Sequence, residues 1–302
     1  MKRSVIFAAA TAVATAVTAA AFAAGPIVTP FPAAKGGQVF VAAETVTSSG
    51  AAASWFAPGS TVVFRAYAVD GKTKKVLAAK DVKYFYVAIP NEPSVKLKYD
   101  AKAPGATPSL AWTGTWVVPA SYPAGTVPFK VLVKTNAKRY GYFVQLPVAP
   151  SQLTISATPP ALPAGAPPPT AGPSGTSDVS LYVDGVNGTG PKGAAPRPIG
   201  CTQTNVYKRG EQLVLRSWGI DLGSGDVLSS DNIDTAAAAI PGQPALALNW
   251  GAHGTTANKV WYWTAPWAIP TDYPLGDATI KVTFKTDGGK VGTYDYAITI
   301  IP

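Results

Sequence analysis

Thr279-Ile280-Lys281-Val282-Thr283-Phe284 alternates polar and apolar residues with a period of two. In an extended chain Ile280, Val282 and Phe284 share one face, and Thr279, Lys281 and Thr283 share the other. That is the pattern of a strand with one face buried and one wet. Asp287-Gly288-Gly289 then leads into a second alternating stretch at 291–300, so the two stretches are expected to form a hairpin. The segment also has an echo: Phe129-Lys130-Val131-Leu132-Val133, more apolar but similarly patterned, begins 151 residues before Ile280.

The same interval recurs outward from this point. Phe56-Ala57-Pro58-Gly59 returns as Tyr207-Lys208-Arg209-Gly210, and Trp112 and Trp116 return as Trp263 and Trp267. Pro119, Tyr122, Pro123 and Gly125 return as Pro270, Tyr273, Pro274 and Gly276. The register runs without a gap from about residue 56 to 148, with roughly a quarter of positions identical, which marks two copies of one module. Val62–Tyr67 and Leu213–Trp218 make another matched pair of strands. Asp234–Ala239 is alanine-rich, which favours helix. Its counterpart, Lys83-Tyr84-Phe85-Tyr86-Val87-Ala88, is aromatic and β-branched, so both are expected to be strands. Many short strands, turn signals such as Asp70-Gly71 and no helical periodicity after the leader predict an all-β chain built as sandwiches.

The ends and the joins set the organisation. Lys2-Arg3, an apolar run to Phe22 and the small-residue site Ala21-Phe22-Ala23 predict a cleaved signal peptide over 1–24. No later run is long and apolar enough to span a membrane. Module one is placed at 36–156, a Pro/Gly-rich linker at 157–178 and module two at 179–302. The linker contains Pro167-Pro168-Pro169, which favours an extended, semi-stiff spacer. Formal charge is +9, and +7 without Lys2 and Arg3. Lys96, Lys98, Lys130, Lys134, Lys281 and Lys285 are spread as single outward positions rather than clustered. Nucleic acid is not expected as a partner, whereas an anionic envelope surface would suit the sign bias. Cys201 is the only cysteine, which excludes an intrachain disulfide and leaves burial beside Ile199 or a covalent dimer.

Pro58-Gly59-Ser60-Thr61-Val62-Val63-Phe64 through Asp70-Gly71, and Tyr122-Pro123-Ala124-Gly125-Thr126 with the strand after it, resemble bacterial immunoglobulin-like or fibronectin type III-like modules, as do 209–221 and 273–284. The resemblance covers nearly all of both copies and is generic to the fold. It implies two tandem immunoglobulin-like antiparallel β-sandwich domains, without the antibody-type disulfide. Members of this superfold mostly bind, space or assemble.

Positions shared by the copies are expected to be scaffold, and positions present in one copy are where roles diverged. Trp112/Trp263 and Trp116/Trp267 are expected in the core or at a corner, with Tyr122/Tyr273 closing a loop onto backbone. Arg65/Arg216 shares a strand face with Tyr67/Trp218, where a guanidinium can stack. Asp70/Asp221 is expected to close a turn on backbone amides. Among the unshared positions, Trp261 and Tyr262 replace Leu110 and Ala111. With Trp250 and Trp263 they form an aromatic cluster, Trp261 and Trp263 on one strand face and Tyr262 on the other. Trp250, His253, Trp261 and Tyr262 are therefore candidate ligand-binding residues, a platform for sugar rings or a protein partner. Packing against the linker or the other module is the alternative. Module one carries Tyr84, Phe85, Tyr86, Tyr140 and Tyr142 where module two has Thr235, Ala236, Ala237, Val291 and Thr293. A strand aromatic on both faces is buried on both or meets a partner, so these five are candidates for a partner or intermodule contact.

Enzyme chemistry finds little support. One His, one Cys and one Met are too few for a zinc or copper site. No G-x-S-x-G elbow, phosphate-cradling loop or paired acid/base carboxylates occur. Asp184-Gly185-Val186-Asn187-Gly188-Thr189-Gly190 lacks the alternating acidic ligands of a calcium loop and reads as a turn. No catalytic residue, metal or cofactor is expected. The sequence points to an exported, non-enzymatic binding or adhesion protein, periplasmic or extracellular, that recognises a protein or cell-surface glycan at the bacterial envelope. The alternative is a structural or accessory subunit of an envelope assembly.

Overall fold

A computed structural model of the chain describes residues 38–100, 112–145, 147–148, 151–161, 177–189, 197–254 and 259–302. The leader expected over 1–24, most of the linker expected over 157–178, and Leu110 and Ala111 lie outside the described residues. The described chain is all-β apart from one 3-10 turn at Ala79–Asp81. No helix among the described residues is long and apolar enough to cross a membrane.

In the first half one sheet runs β1 (Val39–Val46), β3 (Thr61–Asp70), β7 (Trp112–Val117), β6 (Lys98–Tyr99). A second runs β10 (Tyr140–Val144), β9 (Lys130–Thr135), β4 (Val82–Ala88), β5 (Val95–Lys96). Short β2 (Trp55–Phe56), β11 (Thr154–Ile155) and β8 (Gly125–Thr126) form a third. The second half repeats the order. Its first sheet is β12 (Val179–Asn187), β14 (Gln212–Asp221), β18 (Val260–Ala268), β17 (Asn249–His253). Its second is β13 (Val206–Lys208), β20 (Val291–Ile301), β19 (Gly276–Thr286), β15 (Ile233–Ala239), β16 (Leu246–Ala247). The hairpin expected around Asp287 is β19–β20, antiparallel from Gly276↔Ile300 to Lys285↔Val291. The alanine run is strand β15, as its aromatic counterpart requires.

The apolar faces of the sheets meet. Phe64 on β3 packs edge-on against Phe129 at 5.1 Å and Trp263 on β18 edge-on against Phe284 at 5.3 Å, and Phe85 on β4 lies tilted against Trp112 at 5.1 Å. The shared residues do the same work twice. Trp112 Nε1 donates to Leu77 O at 3.0 Å and Trp263 Nε1 to Leu228 O at 2.9 Å. Tyr122 and Tyr273 donate their hydroxyls to Pro90 O and Pro241 O at 3.2 and 3.0 Å, each ring 5.0 Å from Trp116 or Trp267. Asp70 Oδ1 accepts the amides of Lys72 and Thr73, and Asp221 Oδ1 those of Gly223 and Ser224. Gly59 and Gly210 take the left-handed backbone, φ +81° and +80°, that a Cβ would strain.

The first strand of each half breaks the 151-residue interval. β1 meets β3 as Val39↔Asp70, and β12 meets β14 as Val179↔Asp221. The first strands are therefore 140 residues apart, and the second half carries a longer connection before β13. This corrects the turn expected at Asp184–Gly190: Asp184–Asn187 is strand, buried throughout. Gly185 is needed there because a Cβ would come within 2.5 Å of the Tyr296 hydroxyl and 2.7 Å of the Tyr207 hydroxyl. Asp184 pairs in register with Arg216, as Glu44 does with Arg65. Arg216 holds Asp184 through two contacts at 2.7 and 2.5 Å, and Arg65 holds Glu44 at 2.9 Å. Arg216 also lies 5.5 Å from the Trp218 ring centroid, the expected stack. Tyr67 instead donates its hydroxyl to Leu181 O in the other half.

The two halves share one continuous buried core. Tyr67 lies 6.5 Å from Tyr294, and Phe143 lies 5.7 Å from Tyr182. Asn205 Oδ1 accepts the Ala52 amide at 3.0 Å, Ser54 Oγ the Gln203 amide at 3.2 Å, and Ser151 Oγ the Arg216 guanidinium at 2.6 Å. The halves are thus joined by packed surface as well as by sequence. Strands β1 and β12 are buried along nearly their whole length on both faces, their polar Glu44 and Asp184 included in ion pairs.

Candidate functional site

Two aromatic groupings were nominated by the comparison of copies, and the structure separates them. In the second half, β17 pairs with β18 as Trp250↔Trp263, Gly251↔Tyr262 and Ala252↔Trp261. Trp250, Trp261 and Trp263 share a face, and Trp263 fills its inner end. Trp250 and Trp261 are half-buried and lie 6.0 Å apart at 29°. Tyr262 points the other way and is buried. It stacks on His253 at 4.2 Å and meets Trp218 at 5.0 Å. Of the four nominated residues, Trp250, Trp261 and an edge of His253 reach solvent, and Tyr262 supports His253 from beneath. Burial and then the nearby Arg216 guanidinium hold His253 below its ordinary value, which keeps the imidazole neutral at neutral pH.

In the first half the second sheet turns an aromatic face outward. Residues at alternate positions of β4, β9 and β10 share it. Tyr84 and Tyr140 both sit opposite Lys134, and Tyr86 and Tyr142 both sit opposite Leu132. The result is two adjacent rows across three strands, Tyr140–Lys134–Tyr84 and Tyr142–Leu132–Tyr86. Lys96 on β5 extends the second row beyond Tyr86. Tyr84, Tyr140 and Tyr142 are 36, 52 and 42% exposed. Tyr84 and Tyr86 are 5.6 Å apart, and Lys134 Nζ lies 4.6 Å from the Tyr140 ring centroid and 5.9 Å from that of Tyr84. Phe85 leaves this set: it faces the interior at 1% exposure. The aromatic contacts that join the halves run instead through Tyr67, Phe143, Tyr182 and Tyr294. Three large rings presented to water side by side form an exposed aromatic patch.

A third grouping lies between the halves. Glu44, Asp184, Arg216, Gln203 and Tyr182 line a cavity of about 20 Å³, the space of a single water. Burial raises the Glu44 carboxyl above its ordinary value, although Arg65 pulls it down, and Asp184 adds to the rise. This site is too small for a substrate. Among the described residues no group of His, Cys, Asp and Glu could hold a metal ion. Cys201 is half-buried, in the left-handed backbone at φ 58°.

Sequence reasoning named the tyrosines as contact candidates and Lys96, Lys130 and Lys134 only as scattered outward positions, and it missed the ion pairs of Glu44 and Asp184. The lysines were readable from the 151-residue alignment. The ion pairs were not, because Glu44 and Asp184 fall outside it.

No family model matches the chain, and no curated protein matches it. Among solved structures it is similar to SGBP-B of the Bacteroides ovatus mixed-linkage glucan utilization locus, in complex with a mixed-linkage heptasaccharide. That likeness covers 82% of this chain and 43% of the other, at 10% identity and a TM-score of 0.17. The chain thus spans less than half of that protein, and an overlap this slight carries no argument about function.

Proposed function

We propose that this chain is an exported, non-enzymatic binding protein that holds a glycan at the bacterial cell envelope. Its frame would be two immunoglobulin-like β-sandwiches, at 36–156 and 179–302, following a leader at 1–24 and joined through the Pro-rich stretch 157–178. The observation that carries the reading is the outward tyrosine face of β4, β9 and β10, with three rings between 36 and 52% exposed.

The chemistry suits sugars. A pyranose ring presents a flat face of C–H groups that rests on an aromatic ring, while its hydroxyls bond phenol oxygens and ammonium groups. Tyrosine gives both contacts from one rigid side chain at small entropic cost. The face is open, and β4, β5, β9 and β10 carry no acid on it, which suits holding a polymer rather than cutting one. Trp250 and Trp261 make a second, smaller stacked pair of the same kind on the other half.

The test is affinity for a panel of soluble neutral and acidic polysaccharides, measured on the exported chain and on Y84T/Y140V/Y142T. That variant installs the residues of the second half at equivalent positions, so its fold is expected to hold. Loss of glycan binding with an unchanged thermal melt is expected. Unchanged binding would overturn the assignment of the face.

A further inference from the structure

Resting on the glycan reading above, we infer that the polymer held by the tyrosine face is acidic, a polysaccharide carrying carboxylate or sulfate groups. Strands β4, β5, β9 and β10 contain four lysines and no acid. The equivalent positions of β15, β16, β19 and β20 contain two lysines and two aspartates, Asp234 and Asp295.

The difference is placed on the outward face. Both halves carry a bulge at the start of the strand, between Val82 and Tyr84 and between Ile233 and Thr235. The bulge turns two consecutive residues to solvent. In the second half the first of these is Asp234, which binds Lys285 at 2.7 Å. In the first half it is Lys83, exposed beside Lys134. Likewise Asp295 sits opposite Lys281, whereas Val144 sits opposite Lys130. One face bonds Lys285 to Asp234 and sets Asp295 opposite Lys281, and the other carries neither acid and directs Lys134 onto two tyrosine rings.

Lys130 and Lys134 stand about 13 Å apart along β9 at ~3.3 Å per residue. A single small anion cannot meet both, but a polyanionic chain can. Sugar faces on the rings and acidic groups on the lysines would then be bound together.

The test compares polygalacturonate, alginate and chondroitin sulfate with neutral amylose, xylan and β-glucan, by biolayer interferometry at low and high NaCl. Binding of at least one acidic polymer is expected, weakening as salt rises, with the neutral polymers at least about tenfold weaker. K83D/V144D restores the acids of the second half and is expected to weaken acidic binding about tenfold. K130Q, at an exposed position, is expected to weaken it about threefold and serves if the double variant does not fold. Equal affinity for neutral polymers, or no effect of these substitutions, overturns the acidic assignment and leaves the glycan reading standing. Failure to bind any polymer of either kind overturns both.

Discussion

The two halves share a frame and differ on one surface. Equivalent tryptophans donate to equivalent carbonyls, equivalent tyrosines close equivalent loops, and an arginine in each holds a carboxylate on the neighbouring strand. Yet where β15, β19 and β20 present threonine, alanine and salt-bridged lysine, β4, β9 and β10 present tyrosine and lysine. The small-residue face shows that the fold does not need the rings. Exposed aromatic area that stability does not require is the ground for the proposed binding role.

The largest effect is expected in the frame. Arg216 is buried against Asp184 by two contacts and also binds Ser151 of the other half. Arg216→Met leaves Asp184 buried and unpaired, and urea denaturation is expected to show a loss of about 3–5 kcal/mol. Arg65→Met should cost less, about 1–3 kcal/mol, because Arg65 meets Glu44 through one contact and burial already favours the protonated form of that carboxyl. Equal costs would mean that the ion pairs are equivalent and that the bridge to Ser151 adds nothing.

Binding comes next. Y84T/Y140V/Y142T makes the first face resemble the second and is expected to weaken glycan affinity about 100-fold, ~2.7 kcal/mol in all. Trp261→Leu tests the smaller pair on the second half. A loss of about threefold to tenfold is expected, with the melt unchanged. A larger loss than in the tyrosine variant would reverse the ranking of the two surfaces.

The smallest effect concerns pH. Burial alone would raise Asp70, but its hydrogen bonds from Arg139 and from the Thr73 and Lys72 amides prevail and hold it below 3.8. Asp221 is lowered in the same way, with Lys290, Gly223 and Ser224 outweighing burial. A carboxyl lowered in the folded state contributes stability above its unfolded value, and that contribution is lost as pH falls through the folded value. D70N/D221N is therefore expected to be about 1 kcal/mol less stable than the parent at pH 7, with the gap closing as pH falls below the ordinary carboxylate range. A gap that persists at low pH would show that the cost is loss of turn geometry rather than of charge.

Much of the frame is legible in the sequence. The alternation at Thr279–Phe284, the Trp112/Trp263 pair and the Tyr122/Tyr273 corner each imposed a geometry that the structure contains. The alanine strand β15 was readable only because its copy is Lys83–Ala88. What could not be read has a common cause. The first strands lie outside the constant interval, so Glu44 and Asp184 had no visible counterparts and Asp184–Asn187 looked like a turn. The contact between halves was hidden as well. Tyr67 resembles any core aromatic, and nothing local tells it to donate to Leu181 O. The tyrosine face was half legible: its rings were named, but whether they met the other half or solvent depended on packing.

The most direct test is chemical-shift mapping by NMR during titration with a bound acidic oligosaccharide, reading both faces in one experiment. Perturbations are expected at Tyr84, Tyr86, Lys134, Tyr140 and Tyr142, with silence at Thr235, Ala237, Lys285, Val291 and Thr293. Shifts at the second set, or at both sets alike, would contradict the account.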